Sequence, residues 1–304
     1  MIPNDTTSRR SFLGQAAATA LALGIIPPGL AGCASDSKAE MDSGASGDPS
    51  AGTDKLDRVG LQLYTVRDMM KQNVEETLAK VAGIGYKEVE FAGYFDRTPT
   101  ALRETLDKLD LTSPASHIGY DAIAPAKLNA TLDAAQQIGN KYIIVAYLLD
   151  TQRKTIDDYK RHAEVFNKAG QAAAARDMHF AYHNHDFEFV PLDGKIPYDV
   201  LLESTDPSLV RMEMDLYWIT KAGSDWQAYF NRWPGRFNLV HVKDSAGAPQ
   251  HEMRDVGGGS IPFKTIFAQR TKGGIEHFFV EHDNPADPIA SITASFNHLK
   301  QLTF

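Results

Sequence analysis

Short apolar runs recur about every 30 residues from Asp57 onward, which is the length of one strand–helix unit. Each run is short enough for a β-strand, and most are rich in β-branched or aromatic residues. They occupy residues 59–64, 88–91, 111–117, 142–146, 179–183, 210–215, 238–242 and 277–281. The pattern therefore predicts eight strands with longer segments between them.

Several of the intervening segments carry apolar residues three or four positions apart, the spacing of an amphipathic helix. The clearest lie at 74–81, 102–109, 128–135 and 159–175. Strand and helix alternating eight times predict a single-domain α/β fold, the (β/α)₈ or TIM barrel. An open doubly wound sheet is the alternative, but it normally carries a glycine-rich loop after its first strand. The four residues TVRD at 65–68 contain no glycine.

The first 33 residues resemble an export signal. Arg9 and Arg10 precede an apolar stretch at 16–26, which resembles a twin-arginine signal peptide. The string LAGC at 30–33 resembles a bacterial lipobox, which gives Cys33, the sole cysteine of the chain, a role in lipidation. We therefore expect a periplasmic or cell-envelope protein that contacts the membrane only through a lipid anchor.

The domain organisation follows from this signal and from composition. Residues 1–33 form the predicted signal, and the Ser- and Gly-rich residues 34–55 form a tether that cannot bury enough apolar surface to fold. Residues 56–304 form the predicted barrel. The net charge of −8 gives the chain no basic surface for a phosphate backbone, so nucleic acid is not an expected partner.

The ends of the predicted strands are rich in side chains that bind metals or move protons, and in TIM barrels such ends form the active site. The candidates are Glu90, His117, His183, His185, Glu188, Glu213, Asp215, His241, Lys243 and Glu281. Strand alternation gives His183 and His185 one shared face, and it does the same for His241 and Lys243. If these faces point inward, a divalent cation resolves the charge conflict. Mixed imidazole and carboxylate ligands suit Mn²⁺, Zn²⁺, Co²⁺ or Fe²⁺ better than Ca²⁺.

Some of these residues also have structural interpretations. His117 is compatible with a buried core histidine and Glu90 with an ion-pair partner. Asp244 and Asp283 are expected to cap helices. The three glycines at 257–259 are compatible with a phosphate-binding loop, and a flexible connection is the favoured interpretation.

Several strings follow one another along the predicted barrel: GLQLYTVRD at 60–68, KEVEFAGY at 87–94, YHNHDFEF at 182–189, MEMDLYW at 212–218, HVKD at 241–244, DVGGGSIPF at 255–263 and VEHD at 280–283. In this order they resemble the xylose isomerase-like barrel superfamily, the group of sugar phosphate isomerases and epimerases. The resemblance implies one divalent metal held by Asp215, His241, Glu281 and a strand-five residue. The strand-five position matches His183, with His185 as the first alternative and Glu188, further along the chain, as the second.

The chain departs from the family's epimerases at that strand-five position, where they carry a glutamate that also acts as a base. With a histidine there, the resemblance implies a reaction that needs one base, Glu281, and a separate acid, such as His117 or Lys243. Aldose–ketose isomerisation fits, and so does elimination next to a ketone, as in inosose dehydratases and 3-keto-glycoside lyases. The residues expected to bind a carbohydrate substrate are Glu90, Arg67, Glu188, Glu213 and Trp218.

Two other functions stay open at this point. One is a sugar-binding lipoprotein that keeps the pocket but lacks catalysis. The other is an endonuclease, since apurinic-site nucleases share the superfamily, and the acidic charge of the chain disfavours it. Barrels of this group often pair, so the resemblance also implies a homodimer.

Overall fold

Eight parallel strands close into a barrel in residues 53–304, the part of the chain that the computed structural model describes. The barrel strands are β1 (Gly60–Gln62), β2 (Glu88–Ala92), β3 (Thr112–Ile118), β4 (Tyr142–Val145), β5 (His179–His183), β6 (Val210–Asp215), β7 (Leu239–Val242) and β10 (His277–Val280). Two short strands, β8 (Asp244–Ser245) and β9 (Met253–Arg254), form a separate antiparallel pair. All eight predicted strands are found, and the (β/α)₈ barrel is confirmed.

Helices occupy most of the connections between the strands. They are α1 (Arg67–Gln72), α2 (Val74–Ile84), α3 (Pro99–Lys108), α4 (Leu128–Ile138), α5 (Ile156–Ala174), α6 (Pro197–Ser204), α7 (Leu216–Lys221), α8 (Trp226–Arg232), α9 (Phe263–Ala268), α10 (Arg270–Gly273) and α11 (Pro288–Gln301). Short 3₁₀ turns follow β1, β3, β4 and β5. The four helices predicted from periodicity all form. Compared with the predicted bounds, α2 and α4 end three residues later, and α3 and α5 begin three residues earlier and end one residue earlier.

Capping side chains set where several helices begin. Asn73, Thr98 and Thr155 accept a backbone N–H three residues further on, at the starts of α2, α3 and α5. Asp287 accepts the N–H groups of Ile289 and residue 290 at the start of α11. Each such cap contributes about 1 kcal/mol. The prediction that Asp283 caps a helix is wrong, because Asp287 occupies that position.

An apolar plug fills the barrel interior beneath its carboxyl-terminal end. It consists of Ala115, Tyr142, Ile144, Ala181, Leu239 and Phe279. Residues two positions later on a strand share the same face. On β3, β5, β7 and β10 these later residues are polar, namely His117, His183, His241 and Glu281. The barrel interior therefore changes from apolar to polar over two residues along each of these strands.

The predicted export signal, Cys33 and most of the predicted tether lie outside the described residues. Between residues 53 and 304, no helix combines the length and the apolar character needed to cross a lipid bilayer.

Asp244 organises the glycine-rich loop that follows β9. Its Oδ2 accepts the backbone N–H groups of Gly257 (2.9 Å) and Gly259 (3.0 Å), and its Oδ1 accepts those of Ser245 and Ile261. A Cβ on Gly259 would lie 2.2 Å from Asp244 Oδ1, so this close approach requires glycine. The loop amides therefore bind an internal carboxylate, which leaves them no role in phosphate binding. The prediction that Asp244 caps a helix is also wrong.

We expect Asp244→Ala to lower the free energy of unfolding by ~3–5 kcal/mol, because four backbone donors lose a charged acceptor. Urea denaturation of the variant measures this loss. The matched control is Asp225→Ala, which removes a single exposed helix cap and is expected to cost about 1 kcal/mol. Equal losses in the two variants would contradict the organising role of Asp244.

Candidate active site

Four side chains at the mouth of the barrel bring one ligand atom each to within 4.8 Å of one another: His183, Asp215, His241 and Glu281. They come from the ends of neighbouring strands β5, β6, β7 and β10, and all four are buried. We call these four residues the cup. They are the four that the sequence resemblance implied, with His183 in the strand-five position.

His183 presents a lone pair to the cup. Its Nδ1 lies 3.3 Å from the Ala146 carbonyl oxygen, which only accepts, so Nδ1 carries the ring proton. Its Nε2 then lacks a proton and lies 3.3 Å from Asp215 Oδ2. Burial and the neighbouring His241 hold the pKa of His183 well below its ordinary value, so the ring is neutral. A neutral imidazole in this tautomer is a ready metal ligand.

The two carboxylate oxygens of Asp215 have different partners: one caps a helix and the other faces the cup. It is the N-cap of α7, and its Oδ1 accepts the N–H groups of Tyr217 (2.9 Å) and Trp218 (3.0 Å). Its Oδ2 faces the cup, 3.8 Å from His241 Nδ1. The start of α7 therefore fixes one oxygen and leaves the other available as a single ligand atom.

His241 connects the cup to a buried carboxylate behind it. Its Nε2 lies 2.7 Å from Glu90 Oε2, which also accepts the Gln62 amide at 2.6 Å. Its Nδ1 lies 2.7 Å from Glu281 Oε2 but has no hydrogen bond of acceptable geometry within the described part of the chain. An unpartnered buried nitrogen on an imidazole that a carboxylate orients from behind fits a divalent metal with nitrogen and oxygen ligands.

A second cluster shares His241 and consists of Glu90, His117, Glu213 and His241. His117 Nε2 lies 2.6 Å from Glu213 Oε2. Although burial opposes the charge, Glu90 and Glu213 raise the pKa of His117. Burial and the nearby Glu213 raise the pKa of Glu90. We interpret these contacts as two hydrogen-bonded carboxylate–histidine pairs, His117–Glu213 and His241–Glu90.

Lys243 lies against the cup and is almost completely buried. Its Nζ lies 2.9 Å from Asp215 Oδ2, 2.7 Å from Glu281 Oε2 and 2.8 Å from Asp283 Oδ1. These carboxylates outweigh the effect of burial and hold the pKa of Lys243 well above its ordinary value. The ammonium is therefore charged. Asp283 was not among the site residues predicted from the sequence. Its position two residues after Glu281 could have indicated that the two side chains lie on the same side.

A cavity of about 1320 Å³ opens over the cup. The three predicted catalytic residues, Glu281, His117 and Lys243, all line its inner end. His183 and His185 also line it, whereas Asp215 and His241 lie beneath with no exposed surface. His185 is outside the cup and stacks on Phe187, and burial lowers its pKa to about 2.

The five predicted substrate-binding residues do not line this cavity. Glu90 and Glu213 are completely buried behind the cup. Arg67 bonds instead to the Tyr64 and Asp283 carbonyl oxygens and to an asparagine side chain. Trp218 packs on His185 and Lys221. None of the five lies on the surface of this cavity, and their assignment to substrate binding stays a prediction.

Glu188, the fifth of these residues, supports the strand-five loop. It is completely buried and accepts hydrogen bonds from the Tyr182 hydroxyl and from the His185 N–H, the latter at 2.8 Å. Burial raises the pKa of Glu188 to about 8. The carboxyl group therefore holds His185 in place from behind.

We expect Glu188→Gln to flatten part of the pH dependence of stability. The folded carboxyl keeps its proton up to about pH 8, whereas the unfolded one loses it near 4.5. Its contribution to the free energy of unfolding is therefore fully present below pH 4.5 and is lost as the pH rises toward 8. The loss is on the order of a few kcal/mol. Urea denaturation at about pH 5 and about pH 8 measures this loss. The same change in the free energy of unfolding between the two pH values in wild type and in Glu188→Gln would contradict the assignment.

The fold and the site together define a class: a TIM barrel with a mixed histidine–carboxylate cluster at the carboxyl-terminal end of its strands. Residues 78–302 match the model of the xylose isomerase-like TIM barrel family. The chain belongs to this family.

Known relatives agree with that assignment. The chain is 24% identical over 243 residues to an inosose dehydratase of Lacticaseibacillus casei, covering 68% of this chain and 80% of the relative. It is 26% identical, with a TM-score of 0.70, to a sugar phosphate isomerase/epimerase of Parabacteroides distasonis, covering 81% and 98% of the two chains. The IOLI protein, solved with a zinc atom, shares the fold at a TM-score of 0.63 and 14% identity, covering 79% of this chain and 95% of that protein.

Proposed function

We propose that this chain is a metal-dependent carbohydrate lyase that removes a proton next to the carbonyl of a keto-sugar and expels a neighbouring oxygen. The observation that carries the proposal is the cup, with His117 and Lys243 beside it on the same cavity. Similarity to inosose dehydratases supports elimination over isomerisation, and the sugar isomerase/epimerase neighbour supports a carbohydrate substrate.

The cup residues fit one divalent ion, with Mn²⁺, Zn²⁺, Co²⁺ and Fe²⁺ as the candidates. Zinc in the structure of the IOLI protein supports a site of this kind on this fold. When bound, such an ion supplies a Lewis acid for the carbonyl oxygen next to the carbon that loses its proton. His183 Nε2, Asp215 Oδ2, His241 Nδ1 and Glu281 Oε2 are the atoms that would hold it.

We assign the base to His117 rather than to Glu281. Glu281 Oε2 is one of the four atoms that would hold the ion, and it also pairs with the Lys243 ammonium at 2.7 Å, so it is poorly placed to take a proton. Glu213 Oε2 lies 2.6 Å from His117 Nε2, which leaves Nδ1 of the neutral ring as the atom that would take the proton. A carboxylate behind an imidazole fixes the tautomer and stabilises the charge that develops on proton transfer. The ring also lines the cavity.

Lys243 is the acid of the proposed reaction. His117 takes the proton from the carbon next to the ketone, and that electron pair becomes the new carbon–carbon double bond. The bond from the adjacent carbon to the leaving oxygen breaks, and the Lys243 ammonium protonates that oxygen. Three carboxylates around the Nζ hold the ammonium at the cavity surface in its charged form.

The test is turnover of 3-keto-glucosides and inososes by the metal-supplemented full-length chain, read by mass spectrometry. His117→Gln is expected to lose at least ~10²-fold in kcat and to lose exchange of the α-proton in deuterated water. The matched control is His179→Gln, at the opposite end of β5, which is expected to keep wild-type rates. Unchanged exchange in His117→Gln would refute the assignment of the base. Sugar binding without exchange in the wild type would instead support a non-catalytic sugar-binding lipoprotein.

We also propose export by the twin-arginine route and anchorage through Cys33, both argued from the sequence alone. Fatty-acid labelling and membrane fractionation in a bacterial host test them. Wild type is expected to be labelled and membrane-bound, and Cys33→Ser to be unlabelled. Labelling of Cys33→Ser would contradict the lipobox interpretation. The homodimer stays a prediction, which sedimentation can check.

A further inference from the structure

The cavity is larger than one sugar ring needs. Its volume is about 1320 Å³, whereas pockets of roughly 300–1,000 Å³ already hold drug-sized ligands. A keto-sugar that reaches His117, Lys243 and Glu281 occupies only the inner, polar end. The outer end is therefore available to a second group attached to that sugar.

The outer end of the cavity is mostly apolar and open to solvent, although Asp121, Lys127, Thr131 and Gln152 also line the cavity. Tyr147 is 38% exposed and Leu149 is 58% exposed. Small residues in and just before α4 complete this surface, namely Ala126, Ala130 and Ala134. Four large hydrophobic side chains in residues 53–304 are strongly exposed, and three of them, Tyr64, Tyr147 and Leu149, line this one cavity. Such a concentration of exposed apolar surface marks a binding site.

Neighbouring aromatic rings hold Tyr147 in place. Its ring meets His185 edge-on at a centroid distance of 5.0 Å and meets Phe187 at 5.3 Å, with interplanar angles of 89° and 85°. Arg153 lies over the Phe187 ring and donates to the Tyr147 hydroxyl at 3.3 Å. A side chain fixed in this way needs little further ordering when a ligand binds against it.

We propose that the substrate is a glycoside whose flat apolar aglycone packs against Tyr147 and Leu149 while its oxidised sugar ring lies at the cup. This inference rests on the proposed function and narrows its substrate from keto-sugars in general to keto-glycosides. A second sugar fits the surface formed by Tyr147 and Leu149 less well, because its hydroxyl groups would lose water against tyrosine and leucine side chains. An aromatic ring has no hydroxyl groups that would lose water there, and it gains ring-to-ring contact with Tyr147.

The test compares phenyl and methyl 3-keto-glucosides of one anomeric configuration. Wild type is expected to have a KM about 10-fold lower for the phenyl glycoside. Tyr147→Ala and Leu149→Ala are each expected to erase most of that preference, read as the ratio of KM for the methyl glycoside to KM for the phenyl glycoside. The matched control is Val190→Ala, which removes an equally exposed apolar side chain outside the cavity and is expected to keep the preference.

Calorimetric binding of the unoxidised phenyl and methyl glucosides separates this inference from the proposed function, because it needs no turnover. Tighter binding of the phenyl compound by wild type, lost in Tyr147→Ala and in Leu149→Ala, supports the aglycone site even if no keto-sugar is eliminated. Equal binding of the two glucosides by wild type overturns the inference. Tighter binding of a disaccharide than of the phenyl glucoside also overturns it.

Discussion

Asp215→Asn is expected to lose nearly all turnover and bound metal while the barrel stays folded. The asparagine Oδ1 still accepts the N–H groups of Tyr217 and Trp218, since asparagine caps helices as well as aspartate does. The change instead replaces the charged Oδ2 in the cup with an amide. We expect kcat/KM to fall by ~10³-fold or more, and bound metal, measured by mass spectrometry, to fall from one ion per chain to nearly none.

Asp225→Asn is the matched control for this experiment. Asp225 is also an N-cap, that of α8, but its side chain is exposed and accepts the N–H of Gln227, with no hydrogen bond to a cup residue. This variant is expected to keep its metal and its rate. If Asp215→Asn retained a full complement of metal and wild-type turnover, the cup would not be the metal site.

Lys243→Met is expected to separate metal binding from catalysis. The ammonium lies within ion-pair distance of two carboxylates of the cup, so in the metal-free protein it neutralises the oxygens that a metal would bind. Its removal is expected to keep or tighten metal binding and to lower kcat by ~10²–10⁴-fold through loss of the acid. Titration with Zn²⁺ or Mn²⁺ measures the first effect, and turnover measures the second.

The shift in Tm on adding metal gives a further readout for this variant. Without the ammonium, two buried carboxylates, Asp215 and Glu281, and the partly exposed Asp283 repel one another in the metal-free chain. The stabilisation by metal is therefore expected to exceed that of wild type. Lys221→Met is the matched control, because Lys221 pairs with Asp186 at a partly exposed position. Loss of metal from Lys243→Met, or unchanged turnover, would contradict the role given to this lysine.

The strands and the cup could be predicted because both depend on local periodicity. Apolar runs mark buried parallel strands, and alternation by two places His183, His241 and Glu281 on the inner face above Ala181, Leu239 and Phe279. The choice between His183 and His185 needed the structure. His185 lies beyond the end of β5, where the chain leaves the strand and alternation no longer applies.

The residues that line the cavity could not be predicted in the same way. Glu90 and Glu213 lie on the inner face as expected, but their depth behind His117 and His241 depends on packing across the barrel. Tyr147 and Leu149 lie in the loop after β4, which has no periodic pattern. The caps at Asp244 and Asp283 were misassigned because an aspartate after a strand has several local partners, and long-range contacts with Gly259 and Lys243 decided between them.

Anomalous diffraction from crystals grown with Mn²⁺ or Zn²⁺ tests the central claim most directly. We expect one strong peak per chain, about 2.0–2.3 Å from His183 Nε2, Asp215 Oδ2, His241 Nδ1 and Glu281 Oε2. A peak centred instead between Glu90, His117 and Glu213, or no peak at the barrel mouth, would contradict the account.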